Sequence, residues 1–210
     1  MYSILAFGDS ITFGEGEMPT KGWVGRLKGY FEPQGERYLV HNLGVPGQGV
    51  KEVLERFDTE CKARMRHKYP DDRCAIIITI GANDSRWDGR VSDNKPRTSD
   101  KDFEQGVRKL LQKAKAYKAG LVCISIAPVD EKKSLDFNGT AFTNARIKML
   151  NTILEQCCAE QHVPFLDLFS LLLKPGHETL FADGVHPNAK GYDAMFKHIK
   201  TFLKENKIIE

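Results

Sequence analysis

The chain has 210 residues, 41% apolar and 28% charged, with 31 basic and 28 acidic side chains and a formal net charge of +3. That is enough for one domain over residues 1–210 with a full core, in the composition range of ordinary globular proteins. The near balance of charge, without a basic stripe interleaved with aromatics, argues against nucleic acid as a partner, and no apolar run reaches the length of a membrane span.

Five strand-like runs alternate with helical patterns. The first run, residues 3–7, is apolar and stops at Gly8-Asp9. A short helix follows, carrying Trp23, Leu27, Tyr30 and Phe31. The second strand is expected over 38–42. Val50, Val53, Leu54, Phe57 and Cys61 then fall on one helical face. The third strand is expected over 75–80. A helix with Phe103, Val107, Leu110, Leu111, Ala114 and Tyr117 on one face comes next, with Ser99 and Asp100 as caps. The fourth strand is expected over 121–126. Ile147, Leu150, Leu154 and Cys157 stripe another helix. The fifth strand is expected over 164–168. Tyr192, Met195, Phe196, Ile199, Phe202 and Leu203 stripe the last helix, opened near its first turn by Pro187. The middle strands are continuously apolar, as in a parallel sheet buried on both faces. Such alternation implies a three-layer α/β/α fold. Segments 85–101 and 128–140 are mostly polar and follow strands, so both should border a ligand crevice as loops.

Cys61, Cys74, Cys123, Cys157 and Cys158 are odd in number and irregular in spacing, which is no disulfide framework. Cys123 and Cys157 lie on apolar faces and are read as buried small hydrophobes. A reducing compartment follows. The apolar start is too short for a signal peptide. The reading is a cytoplasmic enzyme, or one whose signal has been removed.

Four short segments each follow a strand: Gly8-Asp9-Ser10, Asn42 to Gly49, Gly81-Ala82-Asn83-Asp84, and Asp183-Gly184-Val185-His186. Parallel strands bring them to one sheet edge, where ligands of open α/β sheets bind. A serine, a histidine and an orienting carboxylate are the parts of a nucleophilic hydrolase. Each residue also has a plainer reading. Ser10 fits a structural turn. Asp183 is placed to accept the Nδ1–H of His186, three residues on, or to cap the helix after Pro187, or both. Asn83 fits a turn with Asp84, or an amide donating to a developing oxyanion. Gly44 fits a turn with positive φ, or a backbone N–H brought close to the same oxyanion. Asp9 beside the glycine-rich loop disfavours a phosphate, and no lysine stands in Walker-A position. Trp87 is either a core plug or a wall of an acyl pocket, with Val91, Val129, Leu135 and Phe137 as further candidates for that pocket. His41, His67, His162, His177 and His198 show no metal-ligand spacing. Neither a metal nor a cofactor is expected.

These four segments, in this order, resemble the four blocks of the GDSL, or SGNH, hydrolase family, from residue 8 to residue 187. One departure is mild: the first block reads Gly-Asp-Ser-Ile in place of Gly-Asp-Ser-Leu. The resemblance implies a flavodoxin-like fold with a five-stranded parallel sheet in the order 2-1-3-4-5. It implies Ser10 as nucleophile, His186 as base and then acid, and Asp183 as the orienting carboxylate. The backbone N–H groups of Ser10 and Gly44 and the Asn83 side chain would form the oxyanion hole. Asp9 and Trp87 are expected near the substrate. The implied activity is hydrolysis of a small-molecule carboxylic ester of short acyl chain. An acyltransferase or an acyl-thioesterase would use the same residues, whereas a non-catalytic binding module on the same fold would need neither His186 nor Asp183.

Overall fold

The computed structural model describes residues 1–17, 19, 21–34, 38–65 and 69–209; of the histidines weighed above, His67 lies outside them. Five parallel strands form the central sheet: β1 (Tyr2–Gly8), β2 (Tyr38–Gly44), β3 (Arg73–Thr79), β4 (Gly120–Ile124) and β5 (Phe165–Leu166), in the order β2-β1-β3-β4-β5. The expected fold and strand order are those found. β1 and β3 are buried along nearly their whole length, which is why Ile4-Leu5-Ala6-Phe7 and Ala75-Ile76-Ile77-Ile78 do not alternate with polar residues.

Among the described residues, five long helices flank the sheet. They are α1 (Gly22–Phe31), α2 (Val50–Arg64), α3 (Asp100–Lys115), α4 (Asn144–Glu160) and α5 (Ala189–Glu205). α1 packs on α5, while α2, α3 and α4 pack in series. Trp23 of α1 and Tyr192 of α5 are fully buried on one side; Phe57 of α2 meets Phe7 of β1 on the other, ring centroids 4.6 Å apart. Each such burial contributes about 1.5–3 kcal/mol. Ser99 caps α3 by accepting from Asp102 N–H, as expected. The fifth strand is shorter than expected, because Asp167 caps a helical turn at Leu168–Leu172 and takes the chain out of the sheet. All five cysteines are buried, and none of them forms a disulfide. Among the described residues no helix is long and apolar enough to cross a membrane.

Register places the site. Gly8 ends β1 directly between Gly44 of β2 and Thr79 of β3. The loops that leave these three strand ends therefore start side by side. The polar segments expected as loops carry little regular structure. Trp87–Asp88 pairs antiparallel with Thr140–Ala141 as a small ribbon, and one helical turn forms at Glu131–Ser134.

Candidate active site

Ser10 opens a single helical turn, Ser10–Phe13, whose N-cap is Asp9; the Asp9 carboxylate accepts from Ile11 N–H at 2.9 Å. The first N–H groups of such a turn have no partner inside it, so the Ser10 N–H is left for the space above the strand end. The Ser10 hydroxyl faces His186, with 2.9 Å between Oγ and Nε2. The other ring nitrogen, Nδ1, lies 2.7 Å from Asp183 Oδ2. The second carboxylate oxygen of Asp183 accepts from the backbone N–H groups of Val185 and His186, at 2.9 and 2.7 Å. A neutral imidazole that donates from Nδ1 to Asp183 has its Nε2 lone pair free for the serine proton.

The histidine loop is held by its own backbone. Ala182 N–H donates to the His186 carbonyl and Asp130 N–H to the Gly184 carbonyl, both at 2.8 Å. Asn188, not Asp183, caps α5, accepting from Lys190 and Gly191 N–H. Asp183 is thus fully committed to the histidine turn.

Electrostatics follow from burial and these bonds. Burial works to raise the Asp183 carboxyl, but the bonds from His186 and from the two backbone N–H groups outweigh it and bring it down to about 2. Burial works to lower His186, yet the Asp183 bond and charge prevail, so the imidazole holds its proton above the usual histidine range. Asp9 is pushed up to about 6, chiefly by burial, against the pull of the Ile11 N–H and of His186.

Beside Ser10 and His186 opens a cavity of about 430 Å³, in the range of small-molecule sites. Asn83 lines it, and its Nδ2 donates to the Gln48 carbonyl at 3.0 Å. Glu15, Pro46, Gly47, Arg86, Phe137 and Asn138 line it too, with Thr140, Phe142 and Val185. The segments 85–101 and 128–140 do border the crevice, through Arg86 and through Phe137 to Thr140.

Four expectations need correction. Gly44 is not at the cavity. It is still inside β2, its N–H donates to Asn42 Oδ1 at 2.9 Å, and a Cβ there would lie 2.2 Å from Phe13 N. It is a glycine because the nucleophile turn packs on it, and its φ is not positive. Gly47 is the glycine at the cavity, and its N–H has no acceptor among the described residues. Trp87 does not line the cavity; its ring stacks under the Arg146 guanidinium, 5.8 Å from the centroid, and it pairs with Ala141 in the ribbon. It is the plug. Asp9 is buried beneath the serine turn and also does not line the cavity. Of the other acyl-pocket candidates only Phe137 lines it: Val129 is buried elsewhere, while Val91 and Leu135 face outward.

Residues missed by the sequence reading are Glu15, Gly47, Arg86, Asn138 and Phe142. Glu15 had a signal: it lies between Gly14 and Gly16 just after the serine turn. Asn138 was signalled only by its place in the 128–140 loop, and Phe142 had no signal, since only the ribbon brings it back.

Comparison with known proteins agrees with this fold. The GDSL-like lipase/acylhydrolase family profile matches residues 6–194. An acetylxylan esterase of Xylanibacter ruminicola is 28% identical over 96% of this chain and 43% of its own length, so the chain spans less than half of that relative. Among solved structures, a lipase/acylhydrolase from Enterococcus faecalis superposes with a TM-score of 0.76 at 23% identity, covering 98% of this chain and 96% of the other. The acetyl xylan esterase AlAXEase gives 0.72 at 19%, covering 95% and 98%. At these identities the two structures speak for the fold.

Proposed function

The chain belongs to the GDSL-like lipase/acylhydrolase family, and from that premise we propose that it is a serine esterase that removes a short acyl group through a covalent acyl-enzyme. The observation that carries the reading is the relay Ser10 Oγ–His186 Nε2–Asp183, at 2.9 and 2.7 Å, on the wall of an open cavity. Ser10 Oγ attacks the ester carbonyl carbon while His186 Nε2 takes the hydroxyl proton. The carbonyl oxygen gains the electron pair and is received by the Ser10 and Gly47 N–H groups and by the second hydrogen of Asn83 Nδ2. His186 Nε2–H then protonates the leaving alcohol oxygen as the C–O bond breaks. Water repeats the sequence on the acyl-serine and restores Ser10. Asp183 holds the ring and its charge throughout.

The acyl group is read as short for two reasons. The cavity is open, and Glu15, Asn83, Arg86, Asn138 and Thr140 set polar groups among its apolar walls. The name of the Xylanibacter relative, acetylxylan esterase, supports acetyl.

A fluorophosphonate probe followed by peptide mass spectrometry tests the core of this. Labelling should occur on Ser10 alone and be lost in Ser10→Ala, with p-nitrophenyl acetate hydrolysed only by the unlabelled protein. Absence of labelling in a folded sample would leave a binding module on the same fold.

A further inference from the structure

His186 has a carboxylate at each ring nitrogen. Asp183 holds Nδ1 at 2.7 Å. Glu15 Oε2 stands 3.7 Å from Nε2, the nitrogen that also faces Ser10. The backbone of Glu15 is fixed on both sides: its N–H donates to the Ser10 carbonyl at 3.0 Å, and its carbonyl accepts the Tyr192 hydroxyl at 2.5 Å. The next residue, Gly16, has a φ of +93°, and a Cβ on it would lie 2.6 Å from the Pro187 carbonyl and 2.9 Å from His186 Cβ. The chain leaving the serine turn is therefore pressed against the histidine turn, and only glycine permits that approach. The Glu15 side chain is 49% exposed and lines the cavity. Among the described residues no lysine or arginine is within ion-pair reach of it.

We propose that Glu15 is a second carboxylate partner of His186, accepting the Nε2–H whenever the imidazole is protonated and so positioning the ring and setting the pH at which the base becomes free. In the neutral state Nε2 has a lone pair and takes the Ser10 proton; Glu15, itself an acceptor, stays at its resting separation. In the imidazolium state Nε2 carries a hydrogen, and a small side-chain rotation of a half-exposed glutamate converts 3.7 Å into a charge-assisted bond. When that proton passes to the leaving oxygen, Glu15 withdraws. The carboxylate favours the charged ring, and being half in solvent it is screened by salt.

Other charges face the same ring. Asp183 is on its own turn and Asp9 lies under the serine turn; across the cavity Arg86 is paired with Asp88 at 2.7 Å. Phe137 offers only an aromatic edge, 6.0 Å between centroids. Burial opposes protonation, and Asp183, then Glu15, then Asp9 favour it. Asp183 and Asp9 are tied by hydrogen bonds to backbone N–H groups; Glu15 alone is free to respond.

The rate consequence rests on the esterase reading, whereas the contact itself does not. The test therefore has two arms. The first is NMR titration of the His186 ring in Ser10→Ala and in Ser10→Ala/Glu15→Gln, at low and at high salt. The second is the pH profile of kcat/KM for the unaltered enzyme, Glu15→Gln and Glu15→Ala. Glu15→Gln should lower the His186 midpoint by roughly half a pH unit or more, and high salt should shrink that difference. The limb of kcat/KM should move to lower pH by the same amount in both Glu15 variants. A midpoint unchanged by Glu15→Gln overturns the proposal. A shifted midpoint in a protein that hydrolyses no ester would uphold the Glu15 contact and sink the esterase reading instead.

Discussion

Asn83 Nδ2 donates to the carbonyl of Gln48 at 3.0 Å, a bond that ties the loop after β3 to the loop after β2. An amide carries two hydrogens, so one fixes the loop and the other is left toward the cavity. Asn83→Ala removes both. Since charge on the carbonyl oxygen appears only in the transition state, kcat should fall while KM changes little. The loss expected for one oxyanion donor is about 10²–10³-fold. Steady-state kinetics on p-nitrophenyl acetate checks this, and an effect confined to KM would move Asn83 to ground-state binding.

Ser10→Ala should abolish turnover while the protein stays folded. Its hydroxyl is buried against His186 and nothing else replaces it. Removing a nucleophile from a cooperative triad costs on the order of 10⁶-fold in kcat in a serine protease. Ester hydrolysis above a few per cent of the unaltered rate, with an unchanged melting curve, would show that another group attacks.

Activity should rise with pH through a limb set by His186, whose midpoint lies above the ordinary value of about 6.5. Asp183→Asn should lower that midpoint and cut kcat, by roughly 10⁴-fold if the serine-protease precedent holds. Stability carries its own signature. The Asp183 carboxyl is lowered from 3.8 to about 2, so its contribution is present above its ordinary range and is lost as pH falls toward 2. His186 is raised, so its contribution is present below its ordinary value and is lost as pH rises through the folded value. Asp9 is raised from 3.8 to about 6, so the folded form binds the extra proton and stability declines as pH rises between those values. Urea midpoints against pH should therefore lose part of their slope below pH 3.8 in Asp183→Asn and decline less between 3.8 and 6 in Asp9→Asn.

The loop that carries Gly47 is held from outside. Arg97 donates to the Gly47 carbonyl at 2.8 Å and pairs with Glu52 at 3.4 Å, while Glu52 accepts the Gly49 N–H at 2.8 Å. Arg97→Ala releases that clamp without touching the cavity. Misplacing a donor by an ångström can cost up to about 10²-fold, so a fall in kcat of roughly 10-fold is expected, with partial recovery in Arg97→Lys. Unchanged kcat in Arg97→Ala would mean that Asn83 and the strand ends hold the loop unaided.

The strands, their order and the approach of Ser10, His186 and Asp183 to one another were legible because each depends on a local pattern or on an ordered set of motifs. Gly44 was expected at the site, and Gly47 stands there instead, for a physical reason. The apolar pattern ends the second strand at residue 42, but pairing with β1 carries it on to Gly44 opposite Gly8. Two more residues of ladder moved the loop, and with it the glycine that reaches the site. Trp87 was undecidable from sequence, since its place depends on pairing with Ala141, far along the chain. Glu15 is marked in the sequence only by its two glycine neighbours; the approach of Gly16 to the histidine turn gives that mark its meaning.

Acyl-chain preference should peak between acetyl and butyryl. A long chain needs a continuous apolar channel, because each methylene contributes about 0.8 kcal/mol only when it leaves water. The apolar walls here are Pro46, Ala82, Phe137, Phe142 and Val185, and they alternate with Glu15, Asn83, Arg86, Asn138 and Thr140. The other apolar side chains of the bordering segments do not extend them: Val91 and Leu135 point to solvent, and Val129 is packed beneath the surface. The first methylenes can rest on Phe137 and Phe142, whose rings meet edge to face at 5.9 Å. Later ones meet the charged rim or water and gain nothing. For a p-nitrophenyl ester series from acetate to palmitate, held below the onset of micelles, kcat/KM should reach its maximum by butyrate and decline beyond. A climb that continues past octanoate would require 128–140 to fold over the ester and build the channel that its resting side chains lack.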